Sequence, residues 1–127
     1  MKYGISKSTE LSFDDAVAKV TEELKKEGFG ILTTIDIRET LKNKLDVDVD
    51  KYVILGACNP NFAYEALKAE QELGLLLPCN TIVYEKDGKT YVSIMNPELM
   101  ASVTGNEKLG DVSRQVREIL SKVIEKV

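Results

Sequence analysis

The sequence predicts an α+β fold: a two-layer α/β sandwich in the order βαβαβαββα. About five strands are expected in a mixed, largely antiparallel sheet, with helices mainly on one face. Two observations predict this fold. Segments with apolar residues at helical spacing alternate along the chain with short β-branched segments. In addition, Asp87-Gly88 separates two β-rich segments, and this pair favours a hairpin turn because both positions tolerate positive φ.

The first elements are marked by capping residues. A short strand is expected over residues 2–8, and Ser12, with Asp15 three positions later, is typical of a helix start. Gly28 is typical of that helix's end. The apolar and β-branched residues 29–35 then predict a second strand, against which the helix would pack.

Asp36 and Glu39 repeat the capping pattern and predict a short second helix. Residues 52–58 are expected to form a buried strand. Asn59-Pro60 then starts a third helix reaching to about residue 73, because the Asn amide caps the helix and proline needs no N–H there.

The last third of the chain is predicted to contain a hairpin and a long amphipathic helix. Its strands cover residues 81–85 and 90–95. Asn96-Pro97 starts a short helical turn, and the final helix has one apolar face. With 127 residues and no linker or repeat, residues 1–127 are expected to form a single domain.

Composition excludes several classes of partner. The net charge of −4 and the pI near 5.0 oppose binding to nucleic acid. The longest apolar stretch is far too short to cross a bilayer, and residues 1–10 lack the apolar core of a signal peptide, so we expect neither membrane insertion nor secretion. The expected location is the cytoplasm, where the two cysteines would remain thiols.

The chain has no histidine, which removes Ser-His-Asp and Cys-His nucleophilic systems. No catalytic residues are predicted. The strongest candidate for a ligand site is Cys58-Asn59-Pro60, at a strand-to-helix junction where the helix dipole favours a thiolate. Cys79-Asn80, at the start of a later strand, repeats the Cys-Asn pair. Taken singly, each cysteine is more often a buried core residue.

Three functions remain open. The two Cys-Asn pairs favour a binding or accessory module, rather than an enzyme, for a small molecule or a soft metal; neither the metal nor a cofactor is identified. The first alternative is a thiol-redox or persulfide-handling enzyme that uses both cysteines. The second is a homodimeric interaction protein with structural cysteines, since a five-stranded sheet has two edges and a copy of the chain can cover one.

Four sequence blocks resemble the prokaryotic family known as domain of unknown function 302. They are GFGIL at 28–32, ILGACNP at 54–60, GLLLPCN at 74–80 and the Asn96-Pro97 turn. The resemblance covers nearly the whole chain and implies a compact α+β fold that is often a dimer. It implies no established reaction, substrate or cofactor.

Overall fold

The computed structural model describes residues 2–127, which contain five strands and five α-helices. The strands are β1 (Gly4–Thr9), β2 (Gly30–Asp36), β3 (Tyr52–Cys58), β4 (Cys79–Lys86) and β5 (Lys89–Met95). The helices are α1 (Phe13–Lys26), α2 (Ile37–Leu45), α3 (Pro60–Ala69), α4 (Glu98–Thr104) and α5 (Gly110–Glu125). Short 3-10 helices, Gln71–Leu76 and Glu107–Leu109, follow α3 and α4. The predicted order of elements is confirmed.

The strands form one sheet in the order β1-β5-β4-β3-β2, in which every neighbouring pair is antiparallel. The predicted hairpin joins β4 to β5: Asp87 and Gly88 have φ angles of 52° and 78°. Both residues adopt the left-handed conformation that such a turn requires. The prediction of a largely antiparallel α+β sandwich is therefore confirmed.

One face of the sheet carries the hydrophobic core. Alternate residues of β3, β4 and β5 point toward α1 and α5, because side chains along a strand alternate between its two faces. The core residues on the sheet are Val53, Leu55, Ala57, Val83, Val92 and Ile94, and those on the two helices include Ala16, Val20, Leu24, Val116, Leu120 and Val123. A second cluster, which includes Ala66, Leu73, Cys79, Met100 and Leu109, continues this core under α3 and α4.

The opposite face, here called the open face, has a different character. The strand register places the exposed Lys86 and Lys89 on this face at the hairpin end. Beyond them lie three rows of side chains: Tyr52, Tyr84, Tyr91 and Ser8; Ile35, Ile54, Ile82, Ser93 and Ser6; and Thr33, Gly56, Asn80, Met95 and Gly4. None of the residues in the three rows is charged, although 30% of the chain is charged. Most are half-buried or exposed, and the three tyrosine rings stack on one another at 5.4 and 5.2 Å.

The helix starts follow the predicted capping. Ser12 Oγ accepts a hydrogen bond from the Asp15 amide, and Asp36 Oδ1 accepts one from the Glu39 amide. Gly28 follows the end of α1 with φ of 83°, a conformation that favours glycine.

Helix α3 ends at Ala69, so its predicted extent to about residue 73 is wrong. Glu70 is extended, with φ of −145°, and the chain continues as a 3-10 helix. The Asn106 amide nitrogen donates to the carbonyl of Ala69 and to the Glu70 carboxylate, which fixes this break. Leu73 is still buried, but in the 3-10 helix, so its apolar character did not reveal the boundary.

Across residues 2–127, none of the helices combines the length and the apolar character that a membrane span needs.

Candidate functional site

Cys58 and Asn59 lie at the junction between β3 and α3. Cys58 is the last residue of β3 and is half-buried. Asn59 caps α3, because its Oδ1 accepts hydrogen bonds from the amides of Asn61 and Phe62 at 3.1 and 3.4 Å. Its Nδ2 donates to the Glu27 carbonyl beyond the end of α1. The Asn59 side chain is therefore occupied in holding two helices, and it caps amides that an anion would otherwise contact.

Cys58 and Cys79 do not form a pair. Cys79 lies opposite Ala57 in the antiparallel ladder, so its side chain shares the helix-covered face with Ala57. Cys58 is one position further along, at the end of β3, so strand alternation turns its side chain away from those of Ala57 and Cys79, and the residue still contributes to the pocket described below. Both cysteines are free. The two cysteines are not close together, so the cysteine pair that the repeated Cys-Asn segments suggested is not confirmed, although both residues contribute to the pocket described below.

Cys79 is a buried thiol, with 8% of its surface exposed. Burial, followed by the electrostatic effect of Cys58, raises its pKa to about 11. At neutral pH, Cys79 is therefore an uncharged thiol that behaves as a small apolar side chain.

A mainly apolar pocket lies between the end of the sheet and the helices. Its wall combines residues from β3, the start of β4, α3, α4 and α5. The residues are Phe29, Ala57, Cys58, Asn59, Phe62, Ala63, Ala66, Leu77, Cys79, Pro97, Met100, Leu109, Val112, Ser113 and Val116. Eleven of the fifteen are apolar side chains other than cysteine, so the pocket favours an uncharged group.

The pocket is small. Its volume of about 40 Å³ holds roughly three water-sized spheres. A cofactor or drug-sized ligand needs several hundred Å³. The cavity therefore suits a short alkyl chain or a similar small group.

Of the five residues predicted for the site, Cys58, Asn59 and Cys79 contribute to the pocket wall, and Pro60 and Asn80 do not. Pro60 is the exposed first residue of α3, where it starts the helix. Asn80 is exposed and lies opposite Gly56 on the open face. The two Asn residues that follow cysteine thus differ in position: Asn59 contributes to the pocket wall, whereas Asn80 lies on the open face beside it.

Residues from α3, α4 and α5 form much of the pocket wall, and the sequence did not assign Ala66, Met100, Ser113 or Val116 to a site. In the sequence, the apolar residues among them lie in the apolar stripe of their helix. Such a stripe predicts that a residue is buried in the core, but it does not indicate a cavity. Ser113 is the polar residue among these four, and it lies three positions before Val116 on the buried side of α5. A serine in such a stripe indicates a polar requirement within the core.

Fold and pocket together define the class of protein: a two-layer α+β sandwich with a small apolar pocket between its antiparallel sheet and its helices. Among residues 2–127, no group of three or more His, Cys, Asp or Glu side chains is placed to hold a metal ion. The chain belongs to the family described as domain of unknown function DUF302, whose family model matches residues 5–127.

A solved relative shows the same fold. The crystal structure of an uncharacterized conserved DUF302 protein from Bacillus stearothermophilus superposes with a TM-score of 0.92. The match covers 99% of this chain and 98% of the other, at 24% sequence identity. A comparison with curated proteins finds no match.

Proposed function

We propose that this protein is a small-molecule-binding module whose site is the apolar pocket between the sheet and helices α3, α4 and α5. The observation that carries the proposal is the pocket wall, in which apolar side chains surround a few polar groups. Ligand sites of proteins have this composition, because apolar walls supply affinity and isolated polar groups fix orientation. The volume limits the buried part of the ligand to a short apolar group.

The role of the cysteines follows from their environment. Cys79 contributes an uncharged thiol to the pocket wall, since its pKa is about 11. A thiol with this pKa is a poor nucleophile and a poor metal ligand at neutral pH, because both roles require the thiolate. This favours a binding module over a thiol-redox or persulfide-handling enzyme and over a two-thiolate metal site. Free thiols also support a cytoplasmic location.

Short apolar probes test the pocket directly. Titration of the protein with 1-chlorobutane, followed by two-dimensional amide NMR, is expected to give saturable shifts at Ala57 and Ala66. Ala66→Leu, which adds three carbons to the buried wall, should abolish these shifts. Ala18→Leu makes the same change on the exposed side of α1 and should leave them intact.

A second variant, which enlarges the pocket, keeps the proposal testable if Ala66→Leu fails to fold. Val116→Ala removes two carbons from the wall and should strengthen probe binding, at a cost in stability of about 1–3 kcal/mol. The proposal fails if the wild type gives no saturable shifts at pocket residues, or if Ala66→Leu and Ala18→Leu bind the probe equally.

A second candidate function is self-association through the open face. The observation that favours it is the absence of charge from the three rows. The charged pair on this face, Lys86 and Lys89, is exposed at the hairpin end, so a contact centred on the three rows can leave both ammonium groups in water. Five strands 4.8 Å apart and six residues long give a face of roughly 24 by 20 Å. Two such faces bury about 1,000 Å², which is the lower bound for a specific interface.

Light scattering after size exclusion tests this homodimer. The wild type is expected to have the mass of a dimer, and Tyr84→Lys in the middle of the tyrosine row should give a monomer. Tyr64→Lys is the matched control, since Tyr64 lies on α3, away from the sheet, and is 64% exposed. A monomeric wild type, or equal dissociation by both substitutions, contradicts the candidate.

A further inference from the structure

We propose that the ligand is amphipathic and uncharged, with a short alkyl end in the apolar pocket and a hydroxyl or carbonyl group bonded to Ser113. This inference rests on the proposed function of the pocket, and it adds the chemical class of the ligand and a residue that recognises it.

Ser113 connects two spaces. It contributes to the wall of the apolar pocket and also to an outer groove between α4 and α5. The groove is open and larger, with a volume of about 490 Å³. Its other residues are mainly polar or small: Glu98, Ala101, Ser102, Gly105, Asn106, Glu107, Gly110 and Arg114. Ser113 therefore stands at the boundary between an apolar interior and a polar exterior.

The Ser113 hydroxyl is available for a ligand. Ser113 is 4% exposed, and no hydrogen bond joins its side chain to another group among residues 2–127, yet its hydroxyl is not among the fully enclosed atoms that lack a partner. The hydroxyl therefore keeps a small accessible surface on the spaces that Ser113 lines. Serine hydroxyls in helices often donate to the carbonyl four residues earlier, as the threonine hydroxyl of Thr104 does to Met100. A ligand group that bonds to this accessible hydroxyl gains one hydrogen bond in largely apolar surroundings.

The groove does not select a net charge. Glu98 lies 3.9 Å from Arg117, and Arg114 contacts Asp111. Glu107 adds a negative charge, whereas the amino terminus of α5 adds a partial positive one. Because these contributions oppose one another, a neutral polar group fits the groove mouth better than an ammonium or a carboxylate.

The test compares two probes of similar size that differ in hydrogen bonding. Amide NMR titrations with 1-butanol and 1-chlorobutane are made on the wild type and on Ser113→Ala. The variant is expected to bind 1-butanol about five- to tenfold more weakly, the loss of one hydrogen bond, and to bind 1-chlorobutane unchanged. Ser102→Ala removes a hydroxyl that contributes only to the groove, and it should leave both affinities unchanged.

Each outcome has one meaning. Selective loss of 1-butanol binding in Ser113→Ala supports the inference. Equal effects of Ser113→Ala on the two probes overturn it, and the binding pocket itself then stands. If Ser102→Ala weakens the binding of 1-butanol as much as Ser113→Ala does, the inference is also overturned, because the hydroxyl group of the probe would then lie in the outer groove. If neither probe binds the wild type at pocket residues, the proposed function fails together with the inference.

Discussion

The Asn59 side chain donates a hydrogen bond to the Glu27 carbonyl at 3.3 Å, which joins the start of α3 to the end of α1. The same side chain caps α3 through its oxygen. One asparagine thus serves two helices that are more than thirty residues apart in the chain. Asn59 therefore has a structural role in the Cys58-Asn59-Pro60 segment, because its side chain holds α1 and α3 together.

Loss of this double role gives the first prediction. Asn59→Ala removes the cap and the bond to Glu27, so the free energy of unfolding should fall by about 1–3 kcal/mol. Asn59→Asp keeps the capping oxygen and loses only the donor, so its cost should be smaller. Urea denaturation measures both. Asn61→Ala, an exposed position one residue beyond Pro60, is the control; an equal loss there would contradict the assignment.

Glu23 is a second structural residue, and its contacts with lysines predict that the stability of the protein depends on pH. Its side chain is 3% exposed and contacts Lys26 at 3.0 Å and Lys19 at 3.2 Å, with Lys126, the residue after α5, at 4.0 Å. The hydrogen bond from Lys26, followed by that from Lys19, lowers the Glu23 pKa from its ordinary value of 4.5, against the opposing effect of burial. The carboxylate form is therefore favoured by folding.

A lowered folded-state pKa contributes stability above the unfolded pKa, and that contribution is lost as pH falls through the folded value. Glu23→Gln should therefore be less stable than the wild type at pH 7, and the difference should shrink below about pH 4.5. Urea denaturation at several pH values measures this. Glu22→Gln, at an exposed residue of the same helix, should show a smaller difference. A difference in unfolding free energy between the wild type and Glu23→Gln that stays constant with pH would contradict this role of Glu23.

Thr81 carries a buried hydroxyl without a hydrogen-bonding partner among the described residues. It lies on the core face of β4, opposite Leu55 and Ile94. Replacement of an unpaired buried hydroxyl by a methyl group of similar shape removes a desolvation cost, so Thr81→Val should stabilise the protein by about 1 kcal/mol. Thermal unfolding measures the change, with the exposed Thr34→Val as control. Destabilisation by Thr81→Val would show that the hydroxyl is satisfied.

Gly56 is required by close packing on the open face. A Cβ atom at this position would lie 2.8 Å from Pro78 Cγ and would overlap Thr33 Oγ1. Gly56→Ala should therefore destabilise the protein by about 1–3 kcal/mol. Addition of Thr33→Ala should recover part of that loss, because it removes one of the two clashes. Gly30→Ala on the neighbouring strand meets no atom within 4 Å and is the control. Additive effects of the two substitutions would contradict this packing.

Local chemistry made much of the fold predictable. The caps at Ser12 and Asp36 and the Asp87-Gly88 turn each depend on residues a few positions apart, so the sequence contains all that determines them. The end of α3 was not predictable, because Asn106, more than thirty residues away, fixes the break at Glu70.

The candidate site was predictable only in part, for the same reason. The position of Cys58 at a strand end followed from the Asn-Pro pair after it. Its relation to Cys79 depends on the register between β3 and β4, in which a shift of one residue reverses the faces. The involvement of Ser113 depends on how α4 and α5 pack, which the apolar stripe of α5 does not specify.

Cys58 is half-buried at the end of β3, whereas Cys79 is a buried, uncharged thiol in the pocket wall. The most direct test is the rate of alkylation of each cysteine by iodoacetamide in the folded protein between pH 6 and pH 10, with the sites separated by peptide mass spectrometry. Cys79 is expected to react at least about tenfold more slowly than Cys58 at neutral pH. The Cys79 rate should still be rising at pH 10, since its pKa is about 11. Equal rates at pH 7, with a Cys79 rate that has levelled off by pH 8, would contradict it.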